Sequence, residues 1–385
     1  MKVSIAVNGH FHAMQLASQL EKRQMLQQLI TTYPKRFSRA YHIDDAHVTT
    51  LFSHEILKRA VEKAINLAAK TKLPKWDCEI SFSKRFDRLV QRKLKNCDIF
   101  IGWSGGVGES LQYAKTHGAV TVLERGSTHI LYQHKILQEE FALQGFENQQ
   151  AVHPKIIENE LNEYQLADYI AIPSSFVKQT FLQYGVPEEK LFVNYYGANF
   201  KLLGALPEKP EEFVVIFCGS GGYRKGLHYL LQAFDELKLP KAKLLVIGHI
   251  EKHFRHEIKK YQHAQIQFIG SLNPSQLIEQ FSKGQVFCLP SLEEGMALVL
   301  LQAMACGLPV ICTPNTGAQD ILQDGKEGFL IPMRSVEAIK EKLQKLYENR
   351  DLCNSMGESS RVSVQGNFTW DAYGERAVTF YKKIR

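Results

Sequence analysis

Short apolar runs rich in Val, Ile and Phe alternate with longer amphipathic stretches along the whole chain, and this alternation constrains the fold more than any other feature. A strand apolar on both faces must be covered on both faces. Joining it to a parallel neighbour takes a crossover of about a dozen residues or more, which the amphipathic stretches supply. The pattern predicts repeated βα units and parallel sheets, an α/β fold. The clearest strands of the first half are residues 3–7, 98–103, 120–124, 169–173 and 191–195; those of the second are 213–218, 243–247, 267–269, 286–289 and 309–312. At 385 residues the chain exceeds what one core organises, so two domains of similar size are expected.

Residues 203–212 contain Gly204, Pro207 and Pro210, lack either periodicity and precede a strong strand signal, so the domain linker is placed there. The expected division is 1–204, 205–366 and a closing helix over 367–385. In that last segment Thr369 is placed to cap a helix carrying Ala372, Tyr373, Ala377 and Phe380 at helical spacing, expected to pack back on the first domain.

Composition excludes several classes. Hydrophobic residues make up 44% and charged residues 23%, without bias towards disorder or a stalk. No run approaches the about 20 apolar residues that span a bilayer, and residues 1–7 read as a strand rather than a signal peptide, so a cytoplasmic protein is expected. The seven cysteines lack metal-ligand spacing and read as reduced core residues. Between residues 58 and 95 cations outnumber carboxylates about three to one, and Arg85, Arg88, Arg92 and Lys95 fall at helical spacing beside an apolar face of Phe82, Phe86 and Leu89. That pattern fits a solvated helix, or peripheral contact with an anionic membrane on its inner face or with an anionic acceptor. Nucleic acid is not expected, since neither a zinc-finger spacing nor a domain-wide basic excess occurs.

Two segments carry chemistry. Phe217 to Gly226 reads as a strand end, a turn holding Gly219, Ser220 and Gly221, the cations Arg224 and Lys225, and then a helix over 227–237. Glycines admit a ligand to the backbone, a helix N-terminus adds partial positive charge, and the two cations add full charges, which makes an anion site suited to a diphosphate. Neither the P-loop nor the dinucleotide fingerprint is matched. The second segment, residues 286–310, reads as a buried strand ending at Pro290, an acidic turn with Glu293 and Glu294, and a helix marked by Leu298, Leu301, Gln302 and Ala305 that stops at Gly307. Glu294 and Gln302 lie about two helical turns apart on nearly one face. A carboxylate at a strand's carboxyl end, with the N–H groups of Met296, Ala297 and Leu298 beside it, suits the hydroxyls of a sugar.

This second segment resembles the signature of the retaining family 4 glycosyltransferases (glycosyl transferases group 1), matching at Pro290, Ser291, Glu294, Gly295, Ala303, Met304, Ala305, Cys306, Gly307, Pro309 and Val310. Residues 167–174, 185–191 and 196–199 are also family-like. The resemblance implies the GT-B fold of two facing Rossmann-like domains, a nucleotide-diphosphate sugar as donor substrate with no cofactor, Glu294 on the transferred sugar, and Arg224 and Lys225 on the donor diphosphate. Three departures stand out. Gln302 replaces a glutamate that usually takes the ribose hydroxyls, Met296-Ala297 replaces Phe-Gly, and Asn199 replaces an aspartate. Should Gln302 face the ribose, Glu293 is the nearby acid expected to compensate.

In the first domain, Asn8, Gly9 and His10 follow the first strand, where an open α/β sheet receives ligands; the family counterpart is a loop near acceptor and phosphate. Arg125, Ser127 and His129 follow the strand over 120–124. In a related bacterial subgroup that loop supplies a histidine, so His129 is a candidate for contact with the sugar, or else braces the loop. Two histidine-bearing runs, His42 to His47 and His249 to His256, lack a completing carboxylate or cysteine pattern, so no metal site is assigned. The function expected is metal-independent hexosyl transfer, with retention, to a carbohydrate, a lipid-linked or a small-molecule acceptor. A nucleotide-sugar epimerase of the same fold and a catalytically silent binding protein are the alternatives.

Overall fold

Residues 1–67, 75–198 and 209–385 are described by the computed structural model. The apolar runs become strands of two parallel sheets, buried on both faces at the sheet centres and partly exposed at the edges. In the first half these are β1 (Val3–Val7), β2 (Leu26–Thr31), β3 (Val48–Thr50), β4 (Ile99–Trp103), β5 (Val120–Glu124), β6 (Tyr169–Ile172) and β7 (Leu191–Val193). They form one parallel sheet in the order β3-β2-β1-β4-β5-β6-β7, with Ile5 of β1 between Leu29 and Ile101. The second half holds β8 (Phe213–Cys218), β9 (Ala242–Ile247), β10 (Ile266–Gly270), β11 (Val286–Leu289), β12 (Val310–Cys312) and β13 (Gly328–Leu330). Their order is β10-β9-β8-β11-β12-β13, again all parallel. Both sheets are doubly wound, and the chain changes direction between β1 and β4 and between β8 and β11. At such switch points the loops leaving the strands' carboxyl ends diverge and open a crevice.

Three strands go beyond the sequence expectations: β2, β3 and β13. β2 carries Gln27 and Gln28, which interrupt its apolar run. Gln28 is buried because its amide is fully employed: it donates to Thr49 Oγ1 at 2.8 Å and to the Lys93 carbonyl at 2.9 Å, and accepts from the Lys95 N–H at 3.0 Å. β3 and β13 are three-residue strands at the sheet edges, too short to carry a period.

The helix Trp370–Ile384 is capped by Thr369, whose hydroxyl accepts from the Ala372 N–H at 3.1 Å. It lies on the first half. Asp371 accepts from Gln19 and Lys22 at 2.9 and 2.8 Å, Phe380 stacks on Phe192 at 3.9 Å, and Tyr373, Ala377 and Tyr381 are buried. Of the stretch expected as linker, residues 203–208 lie outside the described residues, as do Asn199 and the boundary at 204.

Candidate active site

Two loops of the second half meet at its switch point. The first leaves β8 at Cys218 and turns through Gly219, Ser220 and Gly221 to Arg224, Lys225 and the helix Leu227–Leu237. Gly226 stands at that helix's N-cap with φ 65°, and a Cβ there would sit 2.0 Å from the Pro290 carbonyl, so only glycine lets the two loops touch. The second loop leaves β11 at Leu289, runs through Glu293 and Glu294 and enters the helix Leu298–Ala305. It is tied to the first by the Leu292 N–H, which donates to the Arg224 carbonyl at 2.9 Å.

Glu294 receives both cations: its Oε1 lies 3.0 Å from Arg224 Nη1 and 2.5 Å from Lys225 Nζ. The charge of Glu294 outweighs burial and raises the Arg224 guanidinium above its ordinary value. Gln302, half-buried on the helix, has no side-chain partner among the described residues. These residues, Arg224, Lys225, Glu294, Gly219, Ser220, Leu298 and Gln302, are the ones the sequence motifs place together. A paired carboxylate and two cations beside an uncapped helix N-terminus can exchange their mutual contacts for an anion and a polyol.

Other expectations are corrected. The Gly221 N–H is committed to the His249 carbonyl at 2.7 Å, closing a bridge between Gly221 and Ile250, and the Ala297 N–H to Thr316 at 3.1 Å; neither is a free donor. Met296 is buried, and its sulfur accepts from the Tyr196 N–H at 3.2 Å. Glu293 does not accompany Gln302: it is fully buried and faces the first half, where the Thr128 N–H and hydroxyl donate to it at 3.1 and 2.7 Å and the Ser127 hydroxyl also donates. Burial works to raise its pKa, but the Arg224 charge and these bonds hold it below the usual carboxylate range. Gly295 belongs to the same seam: Ser174 Oγ donates to its carbonyl at 2.6 Å, and a Cβ on it would lie 2.0 Å from the Gly126 carbonyl.

In the first half, His129 does not enter the crevice. Its Nδ1 accepts from the Leu131 N–H at 3.3 Å as the cap of helix Ile130–Leu143, and its ring stacks on Tyr184 at 4.7 Å. Burial and the Arg125 charge push it down to about 4, so it is neutral near pH 7. It braces the loop. Arg125 is likewise enclosed, donating to Glu160 at 3.0 Å, Gln133 at 3.0 Å and the Thr128 carbonyl at 3.1 Å, while Ser127 is spent on Glu293. Asn8, Gly9 and His10 do stand at the carboxyl end of β1: the Gly9 carbonyl accepts from Thr31, and His10 Nε2 lies 3.1 Å from Tyr41 Oη, with burial lowering its pKa.

The first-half group that sequence reasoning did not bring together is centred on His12. Its Nε2 lies 3.2 Å from Glu124 Oε2, and its ring stands 4.9 Å from Trp103 and 4.3 Å from Tyr196. His12 follows β1, Trp103 ends β4 and Glu124 ends β5, so the sheet's topology assembles them. Strand ends carrying Trp and Glu were the available signal. Among the described residues no group of three potential metal ligands occurs; His47 pairs with Glu21 and His253 with Glu251.

Comparison with known proteins bears on the fold and on the second half. The model of the family described as "Glycosyl transferases group 1" matches residues 201–363. Sulfoquinovosyl transferase SQD2 of Arabidopsis thaliana is 33% identical over 178 residues, which are 45% of this chain and 33% of that protein. The capsular polysaccharide biosynthesis glycosyltransferase CapM of Staphylococcus aureus is 31% identical over 183 residues, 45% of this chain and 48% of that one. The matched stretches thus span only a third to a half of these curated relatives. Among solved structures, sucrose-phosphate synthase from Thermosynechococcus elongatus superposes with a TM-score of 0.72 at 17% identity, covering 100% of this chain and 99% of that one. Anabaena HepE in complex with UDP and glucose gives 0.69 at 14%, covering 99% of each. The chain has the GT-B fold, and within it residues 201–363 are similar to the glycosyl transferases group 1 family.

Proposed function

We propose that this protein transfers a hexosyl unit, with retention at the anomeric carbon and without a metal, from a nucleotide-diphosphate sugar to a hydroxyl acceptor on a carbohydrate, a lipid-linked glycan or a small molecule. The observation that carries the proposal is Glu294 held between Arg224 and Lys225 where the loops after β8 and β11 meet. HepE, of the same fold, has been solved in complexes with UDP and with UDP-glucose, which supports a nucleotide sugar as donor.

A diphosphate draws Arg224 and Lys225 away from Glu294, and the freed carboxylate accepts hydrogen bonds from the donor's hydroxyls. As the bond from the anomeric carbon to the phosphate oxygen breaks, the electron pair leaves with the nucleoside diphosphate, whose growing charge faces the two fixed cations. The acceptor oxygen bonds to the anomeric carbon from the same face, and its proton passes to the departing phosphate. Enclosure between the halves keeps water from competing as acceptor.

A thermal-shift panel of nucleoside diphosphates and nucleotide sugars, followed by product analysis with the stabilising donor, tests this. Selective stabilisation with a glycosylated product is expected, and activity should survive exhaustive chelation. A rearranged free sugar would indicate an epimerase instead, and donor binding without nucleotide release a silent binding protein.

Peripheral contact with an anionic membrane belongs to the same proposal. Arg88, Arg92 and Lys95 are exposed, as are Phe52, Ile56 and Leu57 on the helix Phe52–Leu67; Arg85 instead turns to His54 Nδ1 at 2.8 Å. No helix of the described residues is long and apolar enough to cross a membrane. Replacing Arg88, Arg92 and Lys95 with Gln should weaken binding to phosphatidylserine-containing vesicles and flatten its salt dependence. Equal, negligible binding by both proteins would count against it.

A further inference from the structure

We propose that His12, Glu124, Trp103 and Tyr196 form a binding station for one hydroxyl group of a sugar acceptor, an assignment that rests on the transferase function proposed above. The chemistry begins with Glu124. An ionised carboxylate only accepts hydrogen bonds, so the 3.2 Å contact with His12 Nε2 puts the proton on Nε2 and, in the neutral ring, leaves Nδ1 as a bare lone pair. Nδ1 has no hydrogen-bond partner among the described residues. On either side of the ring stand two groups with the opposite need. The indole N–H of Trp103 and the hydroxyl of Tyr196 are both buried without a partner, although a protein interior pairs nearly all such groups.

The three free positions are one acceptor and two donor groups on adjoining rings, 4.9 and 4.3 Å from His12. A hydroxyl is their complement, since it donates once and accepts twice. Aromatic walls with a few convergent polar atoms are also what a sugar-sized ligand requires. Position agrees with chemistry: the station straddles the first sheet's switch point at the ends of β1, β4 and β5. It also adjoins the donor side. A Cβ on Gly126 would lie 3.0 Å from Tyr196 Oη and 3.9 Å from His12 Cε1, while the Gly126 carbonyl packs on Gly295, next to Glu294. The station binds and orients; the transferred proton does not pass through it.

The test uses the full-length protein, the nucleotide sugar selected by thermal shift, and the methyl α-glycosides of glucose, mannose and galactose as acceptor probes. The donor turnover of the wild type should accelerate saturably with one of them. Tyr196→Phe, which deletes only the hydroxyl, and His12→Asn should each raise the KM of that probe at least tenfold while the donor KM stays within about twofold. Because Tyr196→Phe also removes an unpaired buried group, its thermal midpoint should hold or rise, which separates lost recognition from lost folding. An unchanged acceptor KM in both variants would mean that these free polar atoms meet water or nothing, and would overturn the station. Donor turnover that none of the three probes accelerates would overturn it as well. A wild type that turns over no nucleotide sugar would instead remove the transferase assignment itself.

Discussion

At the scale of single residues, Lys225 and Gln302 are the most informative. Among the described residues Lys225 spends its charge on Glu294 alone, whereas Arg224 is shared between Glu294, the Glu293 carbonyl and the Glu293 carboxylate. Lys225→Ala should therefore leave the fold intact and lower kcat by about two to three orders of magnitude, the loss seen when a preorganised charge stabiliser is removed. Unchanged turnover would take the phosphate role away from this loop. Gln302 has a free amide on the donor side, and the one acid expected to compensate for it, Glu293, is engaged with Ser127 and Thr128. Gln302→Glu should tighten binding of the nucleoside diphosphate several-fold, about 1 kcal/mol, with little change for its 2′,3′-dideoxy analogue. Calorimetry on both ligands decides it, and equal changes for the two would show that residue 302 does not face the ribose.

At the scale of elements, the loop after β11 divides its two acids between two tasks. Glu294 turns to the cations, and Glu293 pins the loop to residues 127–128 of the first half. Glu293→Gln should lower the thermal midpoint at neutral pH by an amount equivalent to about 1–3 kcal/mol, because buried hydroxyl and N–H donors lose a charged acceptor. The sign with pH follows from its depressed pKa. The stabilisation is complete above the ordinary glutamate value near 4.3 and is lost as pH falls below it through the folded-state value. Wild type and variant should therefore converge in midpoint as the pH is lowered from about 5 towards 3. A constant gap across that range would mean that Glu293 acts through packing rather than charge.

At the scale of the whole molecule, the halves are joined on both flanks of the crevice. One flank is the Glu293 seam together with the Ser175 N–H, which donates to Asp320 at 2.7 Å. The other is Glu140, wholly buried on the helix Ile130–Leu143, which meets His228 Nε2 at 2.8 Å, Tyr229 Oη at 2.9 Å and Arg334 Nε at 2.8 Å from the second half. Removing one partner of a buried charged cluster strands the others, so Glu140→Ala should destabilise the arrangement by about 3–5 kcal/mol. Small-angle scattering should show a larger radius of gyration for this variant than for the wild type, and an unchanged radius would locate the hinge restraint elsewhere. Closure held by these polar clusters, with apolar contacts such as Ile136 and Leu137 on Leu292, suits the transferase function proposed above, which must admit two substrates and then exclude water.

The order of βα units, the glycine-bearing turn with Arg224 and Lys225, the strand–acid–helix segment around Glu294 and the capped terminal helix were all readable from the sequence, because each is encoded in a short window by periodicity, caps and turn residues. β2 escaped, since Gln28 looks polar until its partners at Thr49, Lys93 and Lys95 are known. The same limit governed the site. Nothing local tells Glu293 from its neighbour, and only packing against the first half, 165 residues away, assigns it to the seam. His129 stood beside a suitable motif, yet its ring caps a helix and stacks on Tyr184. His12, 112 residues from Glu124, acquires its partner because β1, β4 and β5 lie side by side. Backbone periodicity is a property of adjacent residues, and the sequence by itself determined it. Where a polar side chain points depends on which distant group satisfies it, and only the tertiary structure decided that.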